Sequence, residues 1–126
     1  MNAVSIDDER LAEAGRALDR GDFRDAADLY EAAVLAASLR LGEDHDAVLQ
    51  GELEWGLALY GLGRYAEAEI HQRRSLEVRI RTLGAGHEDT LNTQGRLAES
   101  IGEQGRWQEC EELAEQAIAL VSRDSV

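Results

Sequence analysis

Apolar residues recur along this chain at helical spacing. Leu53, Trp55, Leu57, Leu59 and Tyr60 form one broad stripe, and Leu76, Val78, Ile80 and Leu83 form another. Stripes of this width face a core from one side of an α-helix. There is no proline in the chain, so no helix interior is broken by one. The pattern predicts helices at about residues 6–19, 23–40, 46–61, 65–82, 88–103 and 107–122. Gly21, Gly63 and Gly105 stand between the two helices of successive pairs. A sharp reversal there asks for a left-handed residue, which Gly supplies without a side-chain clash. The polar segments Gly42–Asp46 and Gly84–Asp89 are read as the turns between pairs, with His45 and His87 as helix caps.

The chain also repeats itself. Shifted by 42 residues, Leu41-Gly42 returns as Leu83-Gly84, His45 as His87, and Gly63-Arg64-Tyr65 as Gly105-Arg106-Trp107. One period earlier the last slot reads Gly21-Asp22-Phe23. Three positions after each aromatic comes a small residue: Ala26, Ala68 and Cys110. Ala14, Gly56 and Ala98 share a phase, as do Ala33, Ser75 and Ala117. A period of this length marks an array of stacked supersecondary units.

This small–small–aromatic–small frame resembles the tetratricopeptide repeat (TPR). The period, the linker Leu41-Gly42-Glu43-Asp44-His45 and the helix start Gly63-Arg64-Tyr65-Ala66-Glu67-Ala68-Glu69 are similar to the family's long variant, best known from kinesin light chain and common in bacteria. The resemblance runs from about Ile6 to Val121. It implies an all-α, right-handed superhelical solenoid of three helix-turn-helix repeats, at about residues 6–40, 46–82 and 88–122 of a single domain spanning 1–126. There are departures: Asp46 and Glu88 stand where the family often has Pro, and Gly95 and Gly102 fall in the first helix of the third repeat. Each such Gly costs roughly 1 kcal/mol against Ala, so the third repeat is expected to be the least stable.

Composition narrows the function. The net charge of −13 argues against nucleic acid and anionic membrane as partners. All thirteen basic residues are Arg, which fits a GC-rich bacterial genome. The single Cys forms no internal disulfide and suits a reducing, cytoplasmic setting. Met1–Arg10 carries Asp7, Asp8 and Glu9 and does not read as a signal peptide. No apolar run approaches the ~20 residues that span a bilayer.

Candidate chemistry is sparse. His45 and His87 lie one repeat apart, too far to share a metal, His71 sits beside Arg73 and Arg74, and Cys110 occupies a small-residue slot. No catalytic constellation or phosphate loop is present, so no enzyme, metal or cofactor is expected. Glu69, Arg73, Glu77 and Arg81 are spaced for a ladder of ion pairs.

The resemblance implies instead a protein-interaction scaffold whose first helices line a concave groove. Matched by phase, the groove positions are Leu11, Gly15, Gln50, Leu53, Glu54, Leu57, Tyr60, Asn92, Arg96, Glu99 and Glu103. Of these only Arg96 matches the clamp with which some members hold chaperone tails. The apolar centre and acidic margin suit a protein or peptide with apolar anchors and a basic flank. Leu53 and Leu57 are equally suited to packing between repeats. A second class of function is self-assembly, or service as a regulatory TPR module of a larger protein. Leu113, Ala117 and Leu120 form a stripe on the last helix with nothing after it in this sequence, which predicts a homodimer through that face.

Overall fold

The computed structural model describes residues 6–124; the start of the Met1–Arg10 stretch lies outside them. Six helices follow one another: α1 (Ile6–Asp19), α2 (Phe23–Leu41), α3 (Asp46–Gly61), α4 (Tyr65–Leu83), α5 (Glu88–Glu103) and α6 (Trp107–Asp124). No strand occurs among the described residues. The helices begin where the pattern of apolar residues and turn signals places them, and end within two residues of it. The chain divides into two compact units, residues 1–64 and 65–126, so α1–α3 fall in the first and α4–α6 in the second.

The reversals between paired helices share one hydrogen-bonded form. At the end of α3 the Gly63 N–H donates to the Tyr60 carbonyl and the Arg64 N–H to that of Leu59, both at 2.9 Å. This is the Schellman arrangement, and it needs its glycine left-handed. Gly63 has φ +78°, with Gly21 at +76° and Gly105 at +80°. The turns between pairs use another device. His45 Nδ1 accepts the Ala47 N–H and His87 Nδ1 the Asp89 N–H, each at 3.1 Å. Both histidines thus cap α3 and α5, satisfying backbone donors that a helix start leaves open.

In the first unit α1 packs on α2 and α3, and α2 on α3. The small residues of the repeated frame, Ala14, Ala26 and Ala33, are fully buried. Val34, Ala37 and Val48 form a cluster to which Leu11, Leu41 and Trp55 add their apolar surface. Two glycines let α3 approach α2. A Cβ on Gly51 would lie 2.9 Å from Val34 Cγ2, and one on Gly61 would lie 2.6 Å from the Phe23 ring. Both distances are inside van der Waals contact, so the backbone itself is the packing surface there.

In the second unit α5 packs on α4 and on α6. Leu76, Leu97 and Ile101 make the core, with Cys110 and Leu113 against it. Cys110 therefore behaves as the small apolar residue expected of its slot. Gly102, which the sequence suggested as a weakness, has a packing reason: its Cβ would stand 3.2 Å from Cys110 Sγ. Gly95 has open space around it. At the α4–α5 contact Arg79, only 2% exposed, places Nη1 3.7 Å from Asp89 Oδ2. Its carbonyl accepts the Thr90 hydroxyl at 3.3 Å.

The first rung of the charged ladder is present, and from it the charges turn off the helix. Glu69 and Arg73 pair at 2.7 Å as spaced, but Arg73 also reaches Glu109 at 2.7 Å. Arg106 bridges Glu69 and Glu109, and Gln104 donates to Glu69 at 2.8 Å. The four charges close a ring that ties α4 to the start of α6. Burial alone would push the Glu69 carboxyl up. The hydrogen bonds from Gln104, Arg73 and Arg106 outweigh it and hold the group below its ordinary value. Hydrogen bonds from the same two arginines lower Glu109.

Gly63→Val should cost well over about 1 kcal/mol, because a β-branched residue strongly disfavours this φ. The exposed Glu77→Ala should stay within about 0.5 kcal/mol. Urea or thermal melting compares them, and equal midpoints would remove the turn from its structural role. A second expectation concerns acid. Because Glu69 is depressed in the folded state, its contribution is complete above the ordinary value of 4.5 and lost as pH falls through the lowered one. Melting temperature should therefore fall more steeply below pH 4.5 in the wild type than in Glu69→Gln. Parallel curves would show that the ring contributes nothing.

Candidate functional site

The expected groove residues of the first unit sit on α1 and α3, and the structure sorts them by accessibility. Leu53 is 3% exposed, so it serves as packing. Leu11 likewise lies against the Val34 cluster. Gln50 is exposed, while Leu57, Tyr60 and Glu54 are partly exposed. The accessible apolar part of this face is thus Leu57 and Tyr60 rather than all three expected anchors.

Glu54 is fixed in place. Its Oε2 accepts the Tyr30 hydroxyl at 2.5 Å and its Oε1 accepts Gln50 Nε2 at 3.1 Å. Tyr30 comes from α2 and is fully buried, with its hydroxyl beside Gly15. Burial, with the hydrogen bond and charge of Glu54 behind it, pushes phenol ionisation far up, so Tyr30 stays a neutral donor. The consequence is a carboxylate held on the α3 surface beside two apolar side chains. The sequence listed Glu54 but missed the tyrosine behind it. One and two periods later the Tyr30 position holds Gln72 and Ala114, so comparing repeats gave it no signal.

In the second unit the expected groove residues lie along α5. Asn92, Glu99 and Glu103 are exposed. Arg96 is partly exposed and sits 3.7 Å from Glu99, one turn away. The surface is polar and carries both signs of charge.

The stripe expected to pair two chains is engaged in part within the second unit itself. Leu113 packs on the Leu76, Leu97 and Ile101 cluster, and Ala117 and Leu120 are partly buried. The Leu113 carbonyl also accepts Gln94 Nε2 from α5 at 2.8 Å. This row turns inward. α6 carries two apolar rows, and periodicity alone does not say which one faces its neighbour. Ile118 and Trp107, both 66% exposed, belong to the outer row.

Among the described residues no group of three or more His, Cys, Asp or Glu is arranged to hold a metal. His45 and His87 are caps. His71 is held below its usual range by burial and by Arg74, against the pull of Glu67. No described helix is long and apolar enough to cross a membrane.

The family profile described as tetratricopeptide repeat matches residues 47–123, more than half of the chain. The chain belongs to the tetratricopeptide repeat family. TPR units as a class mediate protein–protein interaction and are typically non-enzymatic scaffolds. Two solved structures agree with the fold. One is of a protein of Podosopora anserina assigned as a kinesin light chain with nearly identical TPR-like repeats, and the other is a single-substitution form of it. Each is 26% identical with a TM-score of 0.82, and the match covers 92% of this chain. The chain spans 55% of the length of those proteins. None of the curated proteins matches it.

Tyr30→Phe deletes one buried donor without changing the packing volume. It should cost on the order of 1 kcal/mol and leave Glu54 held by Gln50 alone. Denaturant melting measures the first effect. An unchanged midpoint would show that the hydroxyl does not hold the carboxylate.

Proposed function

We propose that this TPR protein binds a peptide segment of another protein on the exposed faces of its first-position helices. The supporting observation is Glu54, an acid fixed by Tyr30 and Gln50 next to the accessible Leu57 and Tyr60. A carboxylate already held in place loses little side-chain freedom on binding, so it favours a guanidinium or ammonium partner. Leu57 and Tyr60 offer apolar contact beside it, and a tyrosine brings large area at low entropic cost. The segment best suited is extended or helical, with an apolar anchor and a basic flank. The acidic surface would speed its encounter at low salt. On the α5 face, taken by itself, Asn92, Glu99 and Glu103 are exposed, with Arg96 beside Glu99.

The 42-residue spacing of the helix starts supports assignment to the long, kinesin-light-chain-like variant. The lack of Lys and the single, unpaired Cys support a bacterial and cytoplasmic protein.

Affinity capture from native lysate, with mass spectrometry of the retained proteins, tests the reading. Wild type and Glu31→Arg, a change on the exposed side of α2, should retain the same protein. Glu54→Arg should lose it, and rising salt should weaken the wild-type interaction. A partner retained equally by all three baits would move binding away from α3.

A further inference from the structure

The turns that end α3 and α5 have the same backbone. Leu62 has φ −83° and ψ −4°, against −88° and 4° at Gln104. Gly63 and Gly105 follow at φ +78° and +80°. The Arg64 N–H then returns to the Leu59 carbonyl and the Arg106 N–H to that of Ile101. In each unit this turn lies against the start of the second-position helix. Leu62 and Arg64 meet α2 at Arg24, Ala27 and Asp28, and Gln104 and Arg106 meet α4 at Glu69.

What fills the space under the turn differs between the units. In the second an acid does so: Glu69 Oε1 accepts Gln104 Nε2 at 2.8 Å and Arg106 Nη1 at 2.7 Å. The residue 42 positions earlier is Ala27, buried and without a carboxylate. There the first unit has a cleft of about 230 Å³ lined by Arg24, Ala27, Asp28, Leu62 and Arg64. The same five positions one repeat on are Ala66, Glu69, Ile70, Gln104 and Arg106. The first unit thus has the arginine of the turn, a second arginine in place of Ala66, and open room where the Glu69 side chain lies.

We propose that this cleft receives a side-chain carboxylate of a partner protein, seated between Arg24 and Arg64 as Glu69 is seated on Arg106. A guanidinium offers a carboxylate two parallel N–H donors. A water takes about 30 Å³ of liquid, so the cleft has room for the carboxylate and the carbons that carry it. Arg64 has contacts of its own, and these leave the seat usable. In the matching slot Arg106 serves Glu69 through Nη1 and Glu109 through Nη2 at the same time. Asp28 sets the charge of the occupant. Two guanidinium groups against one carboxylate leave the lining one positive charge, which a single carboxylate balances. A phosphate monoester carries nearly two negative charges, and the excess would be opposed by Asp28 and by the net charge of −13. The cleft is separate from the Glu54 surface and does not depend on it.

NMR titration of the full chain, labelled with ¹⁵N, tests the proposal. The probe is the blocked pentapeptide acetyl-Ala-Ala-Glu-Ala-Ala-amide, and the control has Gln in place of Glu. Arg24 and Arg64 are exposed to solvent, so one seated carboxylate should bind with a Kd on the order of millimolar. The Glu peptide should shift the Nε–H signals of Arg24 and Arg64 saturably, and added salt should weaken the effect. The Gln peptide should move neither. Arg24→Gln should weaken binding seen at Arg64 by about tenfold. Ala27→Glu should seat its own carboxylate on Arg64 and abolish the response to the peptide. Equal shifts with the two peptides, no saturable shift by about 50 mM, or a response indifferent to Arg24→Gln would overturn the proposal. Tighter binding of methyl phosphate or of glutarate than of the Glu peptide would also overturn it, because the seat would then belong to a small dianion.

Discussion

The left-handed glycine at the end of each first-position helix is the constraint on which the rest of each repeat rests. Its positive φ lets two consecutive N–H groups turn back onto carbonyls of the helix just finished, which closes the reversal in three residues. A reversal that short leaves the next helix little choice of direction. Within the two units, at α1–α2 and α5–α6, it runs back against the helix before it, and its aromatic first residue is carried into place with it. The small residues of the frame then become useful, because two helices held by so short a connection must pack with little side chain between them. In the α1–α2 pair, Ala14, Ala17 and Ala26 show this economy, each without any exposed surface.

Much of this was legible in the residues. The starts of α2, α4 and α6 were readable because three independent signals coincide there: a Gly, an aromatic two places later and the onset of apolar periodicity. The caps were readable because His45 and His87 share a phase and stand just before an apolar run. What could not be read was which of two apolar rows on one helix faces its neighbour. On α6 the choice of Leu113, Ala117 and Leu120 as the open row followed a sound periodicity, yet Leu113 belongs to the core. Helical spacing gives the angle between rows and no origin for it. Only the packing of α5 supplies the origin.

The candidate surface shows the same division. Glu54 was found by its phase, but its fixed position depends on Tyr30, a residue from another helix in a slot without a consistent chemical type. Contacts between residues 24 apart leave no trace in a pattern with a 42-residue period. The ring of Glu69, Arg73, Arg106 and Glu109 was half visible for a related reason. Its i, i+4 rung lies within one helix, while its closure comes from residues 36 and 37 positions away.

The Arg79–Asp89 contact has a consequence for the order in which helices assemble. At the matching interface one repeat earlier, the two positions hold Ala37 and Ala47. Each interface therefore carries its own pair: two methyl groups in one case, a guanidinium and a carboxylate in the other. Were α3 to take the place of α5 on α4 during folding, Arg79 would be buried against Ala47 and lose Asp89. The Arg79 side chain is 3% exposed and would give up a carboxylate 3.7 Å away, which disfavours the exchanged stack. Repeat arrays are prone to such exchange, and this pair favours one first-position helix over the other.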